Sequence, residues 1–219
     1  MTKDIMVFQD LVLRGGPARL PNIRKILIDH ATPPWRHAKE KEREISTDFG
    51  NSDLIVFTRE KSNEIETVAL FLLSKDNNYE VTNIVPRDVR ELGFEAYNAA
   101  LQDFVKRVAG PACRDGKFQI EMTPEKQSLN DWVSSDIAES LRRFSNCANK
   151  STGSSHPSDR KRWFEVLFAA HESHDHLDPD QLIRWLIEVE NWPEEKAHDL
   201  AIQYEFGLDL LKAYDKNQG

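Results

Sequence analysis

The feature that most constrains this 219-residue chain is a change of hydrophobic rhythm near residue 125. Before it, apolar residues come in short runs and alternations; after it, they step by three and four. A period of two belongs to a strand and a period near 3.6 to a helix face, so one pattern cannot stand in for the other. The expected fold class is α+β: an N-terminal antiparallel sheet with packed helices over 1–125, then a C-terminal helical bundle over 126–219.

In the first part, LIVFT from Leu54 is a short β-branched and aromatic run, and ETVALFLL, 66–73, is a longer one. SKDNN supplies turn chemistry, and YEVTNIV, 79–85, returns with alternating apolar positions. These two segments are expected to pair antiparallel. Phe94, Tyr97, Leu101, Phe104, Val105 and Val108 share one face of a helix over 93–109, which Gly110-Pro111 should end. KFQIEM, 117–122, reads as one more strand. Leu20, Ile23, Leu27 and His30 have helical spacing up to Pro33-Pro34, and the charged WRHAKEKEREIS beyond reads as a helical turn or loop.

In the second part, Leu129, Val133, Ile137, Leu141, Phe144 and Ala148 form one stripe of a long helix. NKSTGSSHPS, 149–158, is a polar hinge. Helices over about 159–173, 179–190 and 193–215 follow, with Cys147 packed near the stripe and Ser158-Asp159 as a cap.

Charge follows the same division. The net charge is -8, and residues 158–219 alone hold 14 Asp and Glu against 7 Lys and Arg. Such a segment repels phosphate and attracts a basic partner, which argues against general nucleic-acid binding and for a protein partner of basic character. Two cysteines, Cys113 and Cys147, cannot build a disulfide framework. No run approaches a membrane span, and the N-terminal apolar stretch is interrupted by Gln9 and Asp10, too early for a secretory h-region. A soluble cytoplasmic protein is the expectation.

The densest chemistry is HESHDHLDPD, 171–180. On a continuous helix His171, His174 and Asp175 would share a face and could hold zinc. The zinc-protease spacing fails, because the second His comes one residue early. A helix end followed by a cap explains more of these residues: Asp178 as N-cap, Pro179 as first helical residue and Gln181 closing a capping box. His171, at an apolar helix edge, should then make a hydrogen bond rather than bind a metal. No cofactor is implied.

A second place is the loop 149–162. Lys150, Ser151, Thr152, Arg160 and Arg162 are candidate anion ligands, although a Walker loop would need its glycines before the lysine. His156 and His171 are the candidate acid–base groups for an enzyme acting on a phosphate-containing substrate. In the first part, Trp35 is a candidate partner anchor or a core lid, and Asn83, Arg87 and Asp88 lie at a strand-to-helix junction where binding residues gather. No nucleophile elbow or other catalytic signature occurs. The preferred reading is a non-enzymatic interaction or regulatory protein, an antitoxin-like or immunity-like inhibitor being one concrete version. The phosphate enzyme is the alternative.

Overall fold

The computed structural model describes residues 4–15, 20–46, 53–62, 65–87, 91–173 and 176–218. The architecture is α+β: a sheet-and-helix region followed by helices. The chain forms two compact units, one of Met6–Glu125 and the other of Met1–Ile5 with Lys126–Gly219.

The first unit is built on a six-stranded antiparallel sheet. Its strands are β2 (Leu11–Arg14), β3 (Trp35–His37), β4 (Leu54–Arg59), β5 (Val68–Lys75), β6 (Asn78–Pro86) and β7 (Gln119–Met122), in the order β3-β4-β5-β6-β2-β7. β5 and β6 form the expected hairpin. Asp76 and Asn77 between them both have positive φ, 49° and 63°, as a two-residue turn that follows the strand twist requires. Helices α1 (Leu20–Asp29), α3 (Phe94–Phe104) and α4 (Gly110–Gly116) cover one face, closing a core that includes Leu27, Trp35, Phe57, Leu70, Leu101 and Phe104. A helix α2 (Lys39–Ser46) lies against β4.

Three expectations for this unit are corrected. Trp35 begins a strand, and the charged segment after it takes the helical one of its two expected forms as α2; its many Glu and Lys residues favour a helix with one polar face. Strand β2 was not foreseen. Gly110-Pro111 does not end the helix. The backbone widens into a π turn over Val105–Ala109, the Gly110 N–H donates to the Val105 carbonyl, and the helix resumes as α4 with Pro111 in its first turn. The wider turn accommodates a proline that lacks a donor.

Beneath the sheet, Arg59 is fully buried, and its Nε donates to Asp103 Oδ2 at 2.9 Å. Asp103 also accepts from Trp35 Nε1 (2.9 Å) and Arg107 Nε (2.7 Å). Burial pushes the Asp103 carboxyl up, but these three donors outweigh it and hold it below the usual carboxylate range.

The second unit consists of α5 (Leu129–Trp132), α6 (Ser135–Cys147), α7 (Pro157–Ser173), α8 (Pro179–Arg184) and α9 (Glu194–Gln218). A short ladder of β1 (Ile5–Met6) with β8 (Lys126–Gln127) accompanies them. The expected long helix is broken at Val133, which is extended, and Ser134, which is not helical. The stripe survives the break: Leu129, Val133, Ile137, Leu141, Phe144 and Ala148 are all buried. Cys147 is exposed, not packed, because it falls off that stripe. α7 starts at Pro157, one residue before the proposed Ser158-Asp159 cap. His156 takes the cap position, its carbonyl accepting from Arg160 N at 2.9 Å and its Nδ1 from Ser158 N at 3.3 Å. At α8 the sequence reading holds: Asp178 accepts from Asp180 N, and Gln181 reaches back to Asp178 N.

Candidate functional site

Helices α7 and α9 define the site. Trp163 neighbours Tyr204, Leu167 meets Gly207, and His171 Nε2 lies 2.6 Å from Asp215 Oδ2. Numbers rise together on both helices, so the two run parallel. The line of contact passes through Leu167 on α7 and Gly207 on α9. Trp163, Val166 and Ala170 lie on one flank of the α7 line and are buried; Leu200, Tyr204 and Leu208 do the same on α9. With 100° per residue, Phe164 and Phe168 fall on the opposite flank of α7, and Ile202, Phe206 and Leu210 on the opposite flank of α9. For parallel helices these two flanks lie on the same side of the seam. Phe164, Phe168, Ile202, Phe206 and Leu210 therefore form one apolar strip, with Tyr214 at its end.

All six are exposed, from 46% at Phe164 to 69% at Phe206. Folded chains seldom leave such a strip open unless it meets something. Exposed Glu172 borders it on α7, and exposed Glu205 and Asp209 border it on α9, with Lys161 and Lys212 as the nearby cations. The face is thus an aromatic strip in an acidic frame. Sequence reading registered the acidity of this region but not the strip. Phe164 and Phe168 are spaced like core residues, and only the position of the seam separates them from Trp163 and Leu167.

The 149–162 loop is closed by its own groups. Ser151 N and Oγ donate to Asn149 Oδ1 (3.0 and 2.8 Å), and Thr152 N and Gly153 N donate to the Asn149 carbonyl (3.0 and 2.9 Å). Lys150 Nζ donates to the Glu190 carbonyl, sits 4.0 Å from its carboxylate and lies over the Trp192 ring. Arg162 Nη1 donates to buried Asp159 at 2.7 Å, whose other oxygen accepts from Asn149 N at 3.3 Å. Arg160 reaches the Ser155 carbonyl at 3.1 Å. Asp159 is thus the carboxylate that Arg162 and the Asn149 amide hold. His156 and Arg162 line an open groove there.

His171 makes the expected hydrogen bond. His174 and Asp175 lie outside the described residues, and His176 is exposed. Among the described residues no group of three or more metal-ligating side chains comes together, and no helix is long and apolar enough to cross a membrane.

In the first unit, Trp35 is fully buried. Its indole is tied to Asp103, which corrects its reading as a partner anchor. Asn83 and Arg87 do come together, in a cleft of about 790 Å³ with Phe8, Asp10 and Tyr97; Asp88 lies outside the described residues. Burial, reinforced by Asp10, pushes the Tyr97 hydroxyl up to about 12, so it stays a protonated donor. Sequence reading missed a polar chain elsewhere in this unit. His37 Nε2 meets Glu42 (2.7 Å), Glu42 meets Arg24, Arg24 meets Asp53 (2.7 Å), and Tyr79 donates to Asp53. Burial pulls the Arg24 guanidinium down, but Glu42 and Asp53 raise it further. This chain joins α1, α2, β3 and β6.

A sequence-family profile described as a domain of unknown function (DUF1889) matches residues 136–205, from the first turn of α6 into α9. It covers less than half of the chain and includes Phe164, Phe168 and Ile202 of the strip. No curated protein matches the chain, and no solved structure matches it.

Proposed function

We propose that this chain is a protein-interaction or regulatory protein that docks a basic, amphipathic partner segment on the α7–α9 face. The observation that carries the reading is the exposed strip of Phe164, Phe168, Phe206 and Leu210 inside an acidic frame. Aromatic side chains supply most of the energy in such contacts, and carboxylates around them steer a cationic partner and set its orientation. An inhibitor of the antitoxin or immunity type, which covers the basic surface of a target, is one concrete version, acting in the cytoplasm.

The alternative, an enzyme acting on a phosphate-containing substrate through the 149–162 loop with His156 or His171, has less support. Its amides and cations already have partners within the protein, and a substrate phosphate would have to displace the Asp159 carboxylate.

The test is parallel affinity purification of the wild-type chain and a Phe168→Ser/Phe206→Ser variant, which keeps the charge. A basic protein held by the wild type, released by high salt and absent from the variant is the expected result. The same proteins on both baits, or none, would remove the proposal. A wild-type dimer that the variant loses would instead assign the strip to a second copy of the chain.

A further inference from the structure

The cleft at Asn83 and Arg87 lies where the sheet opens. β2 pairs with β6 only from Val12↔Glu80 to Arg14↔Asn78. Before Val12 the chain keeps its pairing with β7 but not with β6: Asp10 N donates to Thr123 Oγ1, and Thr123 N to the Asp10 carbonyl. β6 from Thr82 to Pro86 therefore has β5 on one side and, among the described residues, no strand on the other. This gap is the cleft.

The direction of the backbone groups follows from the ladder. Arg87 N donates to the Thr67 carbonyl at 3.0 Å, which makes 87 and 67 a hydrogen-bonded pair. Antiparallel pairs alternate, so Asn83 and Val85 face β5, whereas Ile84 and Pro86 point their backbone groups into the cleft. Ile84 N has no strand to donate to and is met by the side chain of Asn83 at 2.8 Å. Pro86 has no N–H to offer, a common device on edge strands. One side-chain stopper and one proline thus guard an edge that still presents outward carbonyls at Ile84 and Pro86.

The walls are chemically graded. Phe8, 46% exposed, packs on Phe94 and Tyr97 at ring distances of 4.2 and 4.8 Å and makes an apolar wall. Continuing the β2 register puts Asp10 opposite the Thr82 end of the gap, and Arg87 stands at the other end. The Arg87 side chain is exposed, with no ion pair or hydrogen bond among the described residues. Glu91 also lines the cleft and leaves it without a strong net charge.

We infer that the open edge of β6 accepts an extended peptide as an added strand, with the peptide's C-terminal carboxylate on Arg87 and its cationic end toward Asp10. This is strand addition: main-chain bonds to Ile84 and Pro86 give binding, the Phe8–Tyr97 wall takes an apolar side chain, and the two end charges fix the direction parallel to β6. The peptide carbonyl replaces Asn83 as the acceptor for Ile84 N. The site is independent of the α7–α9 face.

The test is an amide NMR titration of the full chain with the synthetic peptide acetyl-Lys-Thr-Val-Thr-Val as free acid and as C-terminal amide. Saturable shifts confined to Phe8–Asp10, Thr82–Arg87 and Tyr97, with slowed exchange at the Ile84 amide, are expected. The amide form and an Arg87→Gln variant should each bind about tenfold more weakly, and the two losses should not add. Asn83→Ala, which removes the stopper, should bind the free acid at least as tightly as wild type. No saturable shifts, shifts elsewhere, or equal binding of acid and amide would overturn the inference.

Discussion

Gly207 lies so close to Leu167 that a Cβ placed on it would stand 2.7 Å from a Leu167 methyl carbon. This approach draws α7 and α9 together along a line that Phe164, Phe168 and Phe206 flank on its exposed side. The apolar strip is thus a consequence of how the bundle closes rather than a defect in its core.

The Arg59–Asp103 pair should dominate the acid sensitivity of the first unit. Asp103→Asn removes the counter-charge of a fully buried guanidinium that keeps its carbonyl acceptors on Glu60, Ser62 and Ile65, and should cost about 2–3 kcal/mol at neutral pH. The folded carboxyl titrates below its unfolded value, so its contribution is complete above about pH 4 and disappears as pH falls through the folded value. Urea unfolding from pH 7 to pH 2.5 should show the wild type and the variant converging in acid. A constant gap would contradict this.

Gly110→Ala should destabilise, against the usual gain of about 0.5–1 kcal/mol for that change inside a helix. The new Cβ would sit 2.9 Å from the Val105 carbonyl oxygen, the acceptor of the Gly110 N–H in the π turn. The turn must then distort, at about 1–3 kcal/mol. The shift in the denaturation midpoint measures it.

Asp178→Ala removes the side-chain half of the α8 capping box, leaving Gln181 its bond from the backbone N–H of residue 178, and should cost about 1 kcal/mol. Asp178→Asn should recover most of this, because the amide oxygen can still accept from Asp180 N. Thermal melts of the three proteins at one pH decide it.

Inorganic phosphate and a panel of nucleotides should leave the melting temperature unchanged, since Asp159, Asn149 and Glu190 already hold the donors of the 149–162 loop. A concentration-dependent rise that Lys150→Ala abolishes would favour the enzyme reading instead.

The sequence revealed the parts in which local chemistry decides the structure. The SKDNN break was legible as a turn between two strands, and the Asp178–Gln181 box was legible from four residues. The β5–β6 pair and the six-position stripe from Leu129 to Ala148 followed from periodicity. What failed depended on contacts distant in sequence. The π turn before Gly110-Pro111 buries Val108 and Ala109, and against that burial a breaker dipeptide is a weak signal. Trp35 was open to two readings, partner anchor or core lid, and it is Asp103, distant in sequence, that decides for the core by binding its indole. Of the candidate site residues, the structure gathers Asn83 and Arg87 into one cleft. It turns the cations at 150 and 162 onto carboxylates of the protein itself. The aromatic strip could not be seen without the Leu167–Gly207 contact, because helical spacing reveals a face but not which side of it meets a neighbour.

The most direct measurement of the central claim is fluorescence anisotropy of a labelled 18-residue helical peptide, Leu on one face and Lys on the other, titrated with the chain at low and high salt. The account expects saturable binding that weakens with salt and falls about tenfold or more in Phe168→Ser/Phe206→Ser, whose charge is unchanged. Equal binding by wild type and variant would mean that acidity alone attracts the peptide, and the proposed docking face would be wrong.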